Sequence, residues 1–578
     1  MEHKDEYYIL AEARLESVFE GLEYTVKTKV KGSNLLGVSY EPVYEFYSYK
    51  ENELQVFAYK GMATMEEGTG VVHSAPGFGE VDTKMGRHYG LTIMLVIDDE
   101  GKFLPGNAGE NPFAGMYFSK ANDSIREDLK NRGFLFKDEN IVHRFPYHDR
   151  CNTLLIQRAQ NSWFVDVQKL KKELLKNNEN INWVPEHLKE GRFKIGLEQA
   201  PDWCISRARF WATPMPVWES EDGDRIIVES VKELEKLSGQ KVKDLHRPYI
   251  DDVVIKKDGK IYKRVKEVLD SWFEAGSMPY AQIHYPFENR EKFEKNFPGD
   301  YIVEYVAQTR AWFFFMHVLS TALFATNSFK NVISTGVMAG SDGRKMSKTY
   351  GNFTDPKEVL ETIGGDALRL YFMSSPLMIG DNANFDLEDL KSKLNKVLNP
   401  LWNSVKFFLI YAEATKWDVS KKVDSNNFLD KWIKVRLNQT TQVFTENIEN
   451  YLIPPAVRSL EEFVDDLSRW YVRRSRERIS TGENEALSTL YDVLVAFSKI
   501  SAPVIPFMSE TIYQNLVNYA GSSNSESESV HLCMYPDYDE VTTKDSELLG
   551  MMNNTRDVVS LALAVRMAEN VKVRQPLS

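Results

Sequence analysis

Residues 343–352, with the sequence GRKMSKTYGN, lie between an apolar run at 332–338 that is typical of a β-strand and a helix start at Asp355. In an α/β sheet, a loop at the carboxyl edge follows a strand and precedes a capped helix. This segment has that order, with glycine near both ends of the loop. Lys345 and Lys348 place two ammonium groups in this lysine loop (residues 343–352). Such charges suit a polyphosphate, although a solvated basic loop is the plainer interpretation of the residue types alone. We therefore expect an α/β fold with a parallel sheet.

Bulk composition describes a globular cytoplasmic protein. With 578 residues the chain is long enough for several domains. The net charge of −13 gives no global basic field, but a local patch is enough to bind nucleic acid. Three scattered cysteines favour a reducing cytosol over a disulfide framework.

No membrane partner is expected. The opening residues, MEHKDE, carry no apolar signal segment. The most apolar run, 311–325, contains His317 and is shorter than the ~20 residues of a membrane span. This run is expected to be a buried helix.

Two histidines stand in runs that could bind ligands. His73 and Asp82 flank a loop rich in proline and glycine, which can bring backbone close to a ligand. A structural histidine and a surface aspartate are the plainer interpretation. His148 and Cys151 have the spacing of a metal knuckle, but a second pair of ligands is absent, so zinc is not expected.

An apolar pocket is the third candidate. Trp272 follows the apolar run 268–269 in what we expect to be a turn, and Trp312 opens the helix at 311–325. These indoles could wall a pocket for an apolar side chain, while Glu304, at the end of a predicted strand, and Gln308 could orient polar groups. Tryptophans that simply pack in a core are the alternative.

The pattern from about 385 to 520 is strongly helical. Within it, Arg473, Arg474, Arg476 and Arg478 form a local basic run beside two aromatic residues. Such a run could meet phosphates, or it could be a solvated helix face. Arg207 and Arg209, two residues apart on an extended segment, also fit a solvated edge.

Taken together, these motifs resemble those of the class I aminoacyl-tRNA synthetases. The lysine loop is similar to the Lys-Met-Ser-Lys-Ser signature of that family, with Thr349 in place of the final serine. The run 202–207, DWCISR, resembles the element where the editing insertion rejoins the catalytic core, and 308–313, QTRAWF, resembles the isoleucine enzymes more than the valine ones. The resemblance extends over essentially the whole chain.

The resemblance implies an activity and its ligands. Isoleucine would be activated with ATP and Mg²⁺ to an adenylate and transferred to tRNA(Ile). Lys345, Met346, Ser347 and Lys348 would bind ATP, and Lys345 and Lys348 would be the catalytic residues. Glu304 and Gln308 would contact the aminoacyl-adenylate, and Trp272 and Trp312 would line the side-chain pocket.

By the same resemblance, the chain would also bind tRNA and remove mischarged amino acids. His73 and Asp82 would lie in the editing pocket that hydrolyses mischarged Val-tRNA. Arg473, Arg474 and Arg476 would contact the tRNA.

The resemblance also implies a domain order. We expect a β-rich editing-like domain at 1–135, a connective stem at 136–200, the second half of a Rossmann-type catalytic core at 201–354, a stem-contact region at 355–415, a helical anticodon-binding bundle at 416–540 and the start of a C-terminal region at 541–578. The fold class is therefore multidomain α/β, with a partial Rossmann-type parallel sheet, an inserted β-rich domain and a C-terminal helical bundle.

Several family features are missing or altered. Ala212, Ala307 and Ala311 replace the family's usual glycine, aspartate and glycine. The threonine-rich segment of the editing pocket and the His-Ile-Gly-His signature are both absent. We therefore expect a partial chain that is inactive alone. The missing N-terminal half of the enzyme would be a possible separate polypeptide.

Three other functions remain open at this point. The chain could be a tRNA-binding protein without catalysis, a free-standing editing hydrolase, or a valine-specific member of the family.

Overall fold

The computed structural model describes residues 1–65, 68–140, 142, 144–148, 151–344, 346, 351–521 and 527–576. The chain divides into two compact units, Met1–Ser162 and Trp163–Ser578. Three residues of the predicted ATP site, Lys345, Ser347 and Lys348, lie outside the described residues.

The first unit contains little regular secondary structure. Strands β1 (Glu2–His3) and β2 (Glu6–Tyr7) pair antiparallel. The helices are α1 (Leu15–Val18), α2 (Glu80–Tyr89) and α3 (Ala121–Asn131), with 3₁₀ turns at Glu12–Arg14 and Gly32–Leu35. Other cross-strand contacts are single bridges, such as that between Ser39 and Gln55.

The β-rich prediction for 1–135 is therefore wrong at the level of secondary structure in the described residues. Residues 70–73, a β-like run within this region, are irregular, and the side chains of Val71 and Val72 are both exposed. Gly68 and Gly70 have positive φ, a conformation that interrupts the consecutive extended residues a strand requires.

The second unit contains the remaining strands and helices. Its strands are β3 (Phe164–Val165), β4 (Asn182–Val184), β5 (Trp203–Cys204), β6 (Ser206–Arg207), β7 (Val217–Glu219), β8 (Arg225–Ile227), β9 (Val254–Lys257), β10 (Lys260–Arg264), β11 (Val268–Leu269), β12 (Gly299–Tyr305), β13 (Phe329–Thr335), β14 (Met338–Ala339) and β15 (Ala383–Asn384). The helices that accompany the sheets are α4 (Val167–Glu179), α5 (Ile195–Gln199), α6 (Val231–Ser238), α7 (Ser271–Ala281), α8 (Arg290–Asn296), α9 (Trp312–Phe324), α10 (Pro356–Thr362) and α11 (Gly365–Met373).

The later helices are α12 (Leu387–Lys393), α13 (Asn399–Ala414), α14 (Phe428–Glu449), α15 (Ile453–Asp465), α16 (Arg476–Ser480), α17 (Asn484–Ser501), α18 (Pro506–Tyr519) and α19 (Thr543–Ala568). Three π-helical segments occur at Lys189–Lys194, Leu394–Leu398 and Asp466–Val472. Further 3₁₀ turns lie at Tyr249–Asp252, Val306–Arg310, Pro376–Ile379, Val419–Lys421 and Val530–Leu532.

A three-stranded parallel sheet in the order β12-β13-β4 lies at the centre of the first part of this unit. The crossover from β12 to β13 is α9, whose Phe313 and Val318 are fully buried. A helical crossover is what two parallel neighbouring strands require. The predicted parallel sheet and the predicted buried helix at 311–325 are both confirmed.

The chain leaves β13 toward the lysine loop through a tight contact. A Cβ placed on Gly336 would lie 1.8 Å from the carbonyl oxygen of Asp381, so only glycine fits there. Asp355 then caps α10 by accepting a hydrogen bond from the backbone N–H of Lys357 at 2.9 Å, as an aspartate before a helix usually does. The predicted helix start at Asp355 is confirmed.

A separate antiparallel sheet, in the order β8-β7-β10-β9, has its own core around Trp218, Ile255 and Tyr262. Its strands are only three to five residues long. The sequence pattern did not predict this sheet as a separate layer.

The helices from α12 to α18 pack around one large apolar core. Phe408, Phe463 and Leu494 are fully buried in it. The predicted helical character of 385–520 is confirmed. In the part of the chain that is described, no helix is both long enough and apolar enough to span a membrane.

Candidate active site

The two flanks of the lysine loop are joined by side-chain hydrogen bonds. Asn352 donates from Nδ2 to Oδ1 of Asp342 at 3.0 Å, and Arg344 donates from Nε to Oδ2 of the same carboxylate at 2.8 Å. These donors, Asn352 first, hold the pKa of Asp342 at about 2 because they favour the ionised form. Met346 is the one predicted ATP-site residue of the loop that the structure describes.

Trp272 and Trp312 pack against the same apolar core, from helices α7 and α9. The indole N–H of Trp312 donates to the carbonyl oxygen of Ala275 at 3.0 Å, which ties α9 to α7. Trp272 stacks on Phe315 of α9, with ring centroids 5.5 Å apart. The two predicted pocket indoles thus lie on the packed helix pair α7 and α9.

The expected turn around Trp272 was wrong, because residues 271–281 form helix α7. A Cβ on Gly276 would lie 2.9 Å from Cδ1 of Leu319 and 3.2 Å from the backbone of Phe315. Gly276 therefore allows α7 and α9 to pack closely, and it does not mark a turn.

Glu304 and Gln308 lie at the carboxyl edge of the parallel sheet, where open α/β sheets bind ligands. Glu304 is at the end of β12, paired in register with Ser334, and its carboxylate accepts from the backbone N–H of Tyr305 at 2.8 Å. Gln308 accepts through Oε1 from the backbone N–H of Trp312 at 3.0 Å. Gln308 therefore helps to begin the helix that carries Trp312.

Asp270 is a buried carboxylate next to the Trp272 segment that sequence reasoning missed. It is 4% exposed, accepts from the indole N–H of Trp203 at 3.0 Å, and pairs with Nη2 of Arg207 at 2.9 Å. Arg207 is thus not a solvated edge, as we had considered, whereas Arg209 is exposed. The one available signal was a carboxylate directly before the Trp272 segment, at the position of a helix N-cap.

In the first unit, the carboxylate of Asp82 accepts hydrogen bonds from the loop that precedes α2. Its Oδ1 accepts from Oγ of Ser74 and from the backbone N–H of Ala75, both at 2.9 Å. His73 directly precedes Ser74 in the sequence, and its side chain is exposed. The carboxylate is thus fixed at the start of α2 against the two residues that follow the predicted histidine in sequence.

The predicted RNA-contacting arginines do not share one environment. Arg473, Arg474 and Arg476 are exposed. Arg474 lies 4.9 Å over the ring of Trp470, and Arg476 lies 6.0 Å over that of Phe407. Arg478, by contrast, is engaged in ion pairs with Asp430 and Glu483.

His148 and Cys151 lie close together, with 3.3 Å between Nδ1 and Sγ. Among the described residues, no three histidine, cysteine, aspartate or glutamate side chains come together to hold a metal ion. The pair supplies two donors, fewer than a structural zinc site needs.

Comparison with known protein families matches two parts of the chain. Residues 6–384 match the family of class I tRNA synthetases for isoleucine, leucine, methionine and valine, and residues 430–578 match the anticodon-binding domain of tRNA ligases. The parallel sheet, with Glu304 at its carboxyl edge, agrees with this match. The chain belongs to the class I tRNA synthetases.

Similar proteins share one name within this family. The chain is 42% identical over 592 residues to the isoleucine–tRNA ligase of Clostridium novyi (strain NT), covering 100% of this chain and 56% of that protein. It is 41% identical over 616 residues to the isoleucine–tRNA ligase of Treponema denticola, with 100% and 55% covered. For that of Protochlamydia amoebophila the identity is 41% over 580 residues, with 99% and 55% covered. The chain spans about half the length of these curated relatives.

A likeness among solved structures is weaker. The ternary LeuRS–tRNA–LeuAMS complex of Agrobacterium radiobacter K84 aligns with a TM-score of 0.44 and 19% identity, over 59% of this chain and 44% of that one. A likeness at this level supports no inference.

Proposed function

We propose that this chain functions in the ATP-dependent attachment of isoleucine to tRNA(Ile) in the cytoplasm. The observation that carries the proposal is the 41–42% identity to isoleucine–tRNA ligases along 99–100% of the chain. The indoles of Trp272 and Trp312 on the packed helices α7 and α9, together with Glu304 at the carboxyl edge of the sheet, support it independently.

The reaction has two steps. An oxygen of the isoleucine carboxylate attacks the α-phosphorus of ATP, and the bond to the leaving pyrophosphate breaks. A ribose hydroxyl at the end of the tRNA then attacks the carbonyl carbon of the adenylate, and AMP leaves. The protein contributes positioning and stabilisation of developing charge.

The proposed roles follow the chain's own residues. Lys345 and Lys348 neutralise charge on the α-phosphate and pyrophosphate of ATP, which arrives with Mg²⁺, and Met346 and Ser347 complete that binding loop. Trp272 and Trp312 enclose the branched side chain. Glu304 and Gln308 orient the polar end of the adenylate.

The proposal includes editing, since an apolar pocket separates side chains that differ by one methylene by only ~1–3 kcal/mol. The supporting observation is the carboxylate of Asp82, which is fixed by Ser74 and Ala75 directly after the exposed His73. Asp82 would hold the α-ammonium of a wrongly attached valine, and His73 would lie in the same pocket.

We further propose that the 578 residues need a second polypeptide segment for adenylate formation. The family's His-Ile-Gly-His signature does not occur among them. A segment that supplies this signature would provide the other ATP contacts.

The experiment is isoleucine-dependent exchange of pyrophosphate into ATP. We expect no exchange by the chain alone, and exchange after addition of a polypeptide that carries the His-Ile-Gly-His signature. Lys348→Ala should then lower the rate about 10²–10³-fold. Lys357→Ala, which changes an exposed lysine on α10, is the matched control and should leave the rate unchanged.

Two results would contradict the proposal. Exchange by the chain alone would refute its need for a second segment. Binding of tRNA without exchange under either condition would instead identify a non-catalytic tRNA-binding protein.

A further inference from the structure

Helix α18 takes its N-terminal cap from a helix that lies far away in the sequence. Ile505, the residue before α18, supplies no side-chain hydrogen bond to its first turn. Asp366 on α11 supplies the acceptor instead. Its carboxylate accepts from the backbone N–H of Met508 at 2.6 Å and from that of Phe507 at 3.4 Å. The first turn of α18 is therefore completed by a side chain that is only 7% exposed and lies 141 residues before Phe507.

The turn that precedes α18 is held by the same helix. Arg369 donates from Nε to the carbonyl oxygen of Val504 at 2.9 Å and from Nη2 to that of Pro503 at 2.8 Å. Both carbonyl groups lie between the end of α17 and the start of α18. Asp366 and Arg369 are three residues apart on α11, and residues at this spacing share one face of a helix. We call these two side chains the α11 clamp.

The charges of the α11 clamp match the helix ends that they contact. A helix carries partial positive charge at its N-terminus and partial negative charge at its C-terminus. The carboxylate of Asp366 meets the N-terminus of α18, and the guanidinium of Arg369 meets carbonyl groups just after the C-terminus of α17. Backbone groups at helix ends have no intrahelical partner. Directional bonds to such groups, and not apolar packing alone, therefore fix α11 to helices α12–α18, which we call the helical region.

The α11 clamp is also close to helix α10, which follows the lysine loop. A Cβ on Gly365 would lie 3.3 Å from Cε2 of Phe507 and 3.8 Å from Cδ2 of Leu360. Residue 365 is therefore packed between the start of α18 and helix α10. Helix α10 begins directly after its cap, Asp355, and so lies at the carboxyl flank of the lysine loop. The helical region thus reaches that flank through a single short helix.

We propose that Asp366 and Arg369 are positioning residues through which the helical region fixes α11 and α10, and with them the carboxyl flank of the lysine loop. Neither is a catalytic residue, because both act through the backbone at 503–508. The inference rests on the proposed function, which assigns Lys345 and Lys348 to ATP. It adds to that function a requirement for the α17–α18 turn, since a displacement of about 1 Å at a reacting group can lower a rate about 10²-fold.

Hydrogen–deuterium exchange of the full chain tests this positioning without any substrate. Asp366→Ala should raise the exchange rate of the α10 backbone amides about tenfold, because α11 loses a polar attachment to α18. Asn427→Ala is the matched control, since Asn427 caps α14 in the helical region by accepting from the backbone N–H of Leu429 at 2.9 Å. It should leave the α10 amides unchanged. Asp366→Asn keeps one acceptor oxygen, should give a smaller increase, and serves if Asp366→Ala does not fold.

Isoleucine-dependent pyrophosphate exchange, with the polypeptide that carries the His-Ile-Gly-His signature added, tests the effect on the reaction. Asp366→Ala and Arg369→Ala should each lower kcat about 10- to 100-fold. The KM for isoleucine should stay within about twofold, because Trp272 and Trp312 lie on α7 and α9. The double variant should lose little more than the more severe single variant, since both side chains act on one turn. Asn427→Ala should keep its kcat although its urea midpoint falls.

Each result supports or overturns a specific claim. Unchanged α10 exchange in Asp366→Ala, or an equal loss of kcat in Asn427→Ala, would overturn the inference. Faster α10 exchange with an unchanged kcat would reduce the clamp to a structural role and would overturn it as well. If the unsubstituted chain with the added polypeptide exchanges no pyrophosphate, the proposed function fails, and the amide exchange alone then decides whether the clamp fixes α10. Circular dichroism of each variant confirms that its helices are intact.

Discussion

The sheet core and the helical region both bury an ionisable side chain, but they do so in opposite ways. In the helical region, Asp430 is 1% exposed and its carboxylate accepts four hydrogen bonds. The donors are Ser425, Tyr471 and both terminal nitrogens of Arg478. In the sheet core, His317 is fully buried, and its Nε2–H donates to the carbonyl oxygen of Leu174 at 2.8 Å. Its Nδ1 has no partner among the described residues.

The difference shows two solutions to one energetic problem. A buried charge is costly unless it is paired and hydrogen-bonded, and Asp430 satisfies that requirement with its four donors. The imidazole of His317 is held neutral instead, because burial lowers its pKa to about 4. One region thus retains a charge with partners, and the other excludes the charge.

The largest expected effect is the loss of the Asp430 carboxylate. Asp430→Ala leaves Arg478 and the hydroxyl of Tyr471 buried with fewer partners, so the free energy of unfolding should fall by about 3–5 kcal/mol. The measurement is the urea midpoint followed by far-ultraviolet ellipticity. Asp424→Ala, which removes a fully exposed aspartate paired with Lys434, is the matched control and should change stability by less than about 1 kcal/mol. Equal effects of the two variants would show that the buried network stabilises the protein no more than an exposed ion pair does.

The second effect is the pH dependence of folding stability that the buried neutral His317 should cause. His317 binds a proton in the unfolded chain near pH 6.5 but in the folded chain only near pH 4. Because the unfolded state then binds more protons, stability should fall as pH decreases from about 6.5 to about 4, by about 3 kcal/mol in total. Above pH 6.5 this contribution is constant.

Urea midpoints across this pH range measure the effect in variants. His317→Leu should flatten the pH dependence by that amount, whatever its effect at pH 7. His187→Gln changes an exposed histidine of the same unit and should leave the slope as it is. A slope unaffected by His317→Leu would show that folding does not lower the pKa of this imidazole.

The same contrast explains how much could be predicted from sequence. The apolar run that contains His317, the Asp355 cap and the helical periodicity after 385 are local signals, and all were predicted correctly. Asp270 could not be assigned, because its partners Trp203 and Arg207 lie more than 60 residues away. The division of the arginines at 473–478 depends on which helix face is buried, which the sequence run does not specify. Helix α7 was misinterpreted because glycine and aromatic residues resemble a turn until the contact with α9 is known.

A third effect tests whether α7 and α9 are packed as closely as the site requires. Gly276→Ala puts a Cβ within 3.2 Å of the Phe315 backbone, so overpacking should destabilise the protein by about 1–2 kcal/mol. In α19, Gly550→Ala meets nothing within 4 Å and should be neutral or stabilising by up to about 1 kcal/mol. Thermal midpoints of the two variants check this. A stabilising Gly276→Ala would show that the helices can separate without cost.

The smallest effect concerns the hydrogen bond across the candidate pocket. Trp312→Phe keeps an aromatic ring but removes the donor to the carbonyl oxygen of Ala275, and should lower stability by about 1 kcal/mol. Trp272→Phe is the control, because its stacking on Phe315 survives the change. The urea midpoint should therefore fall more for Trp312→Phe than for Trp272→Phe. If the order is reversed, stacking of Trp272 on Phe315, rather than the hydrogen bond of Trp312, holds α7 against α9. The two helices would then be held by apolar packing alone, in contrast to the polar network around Asp430.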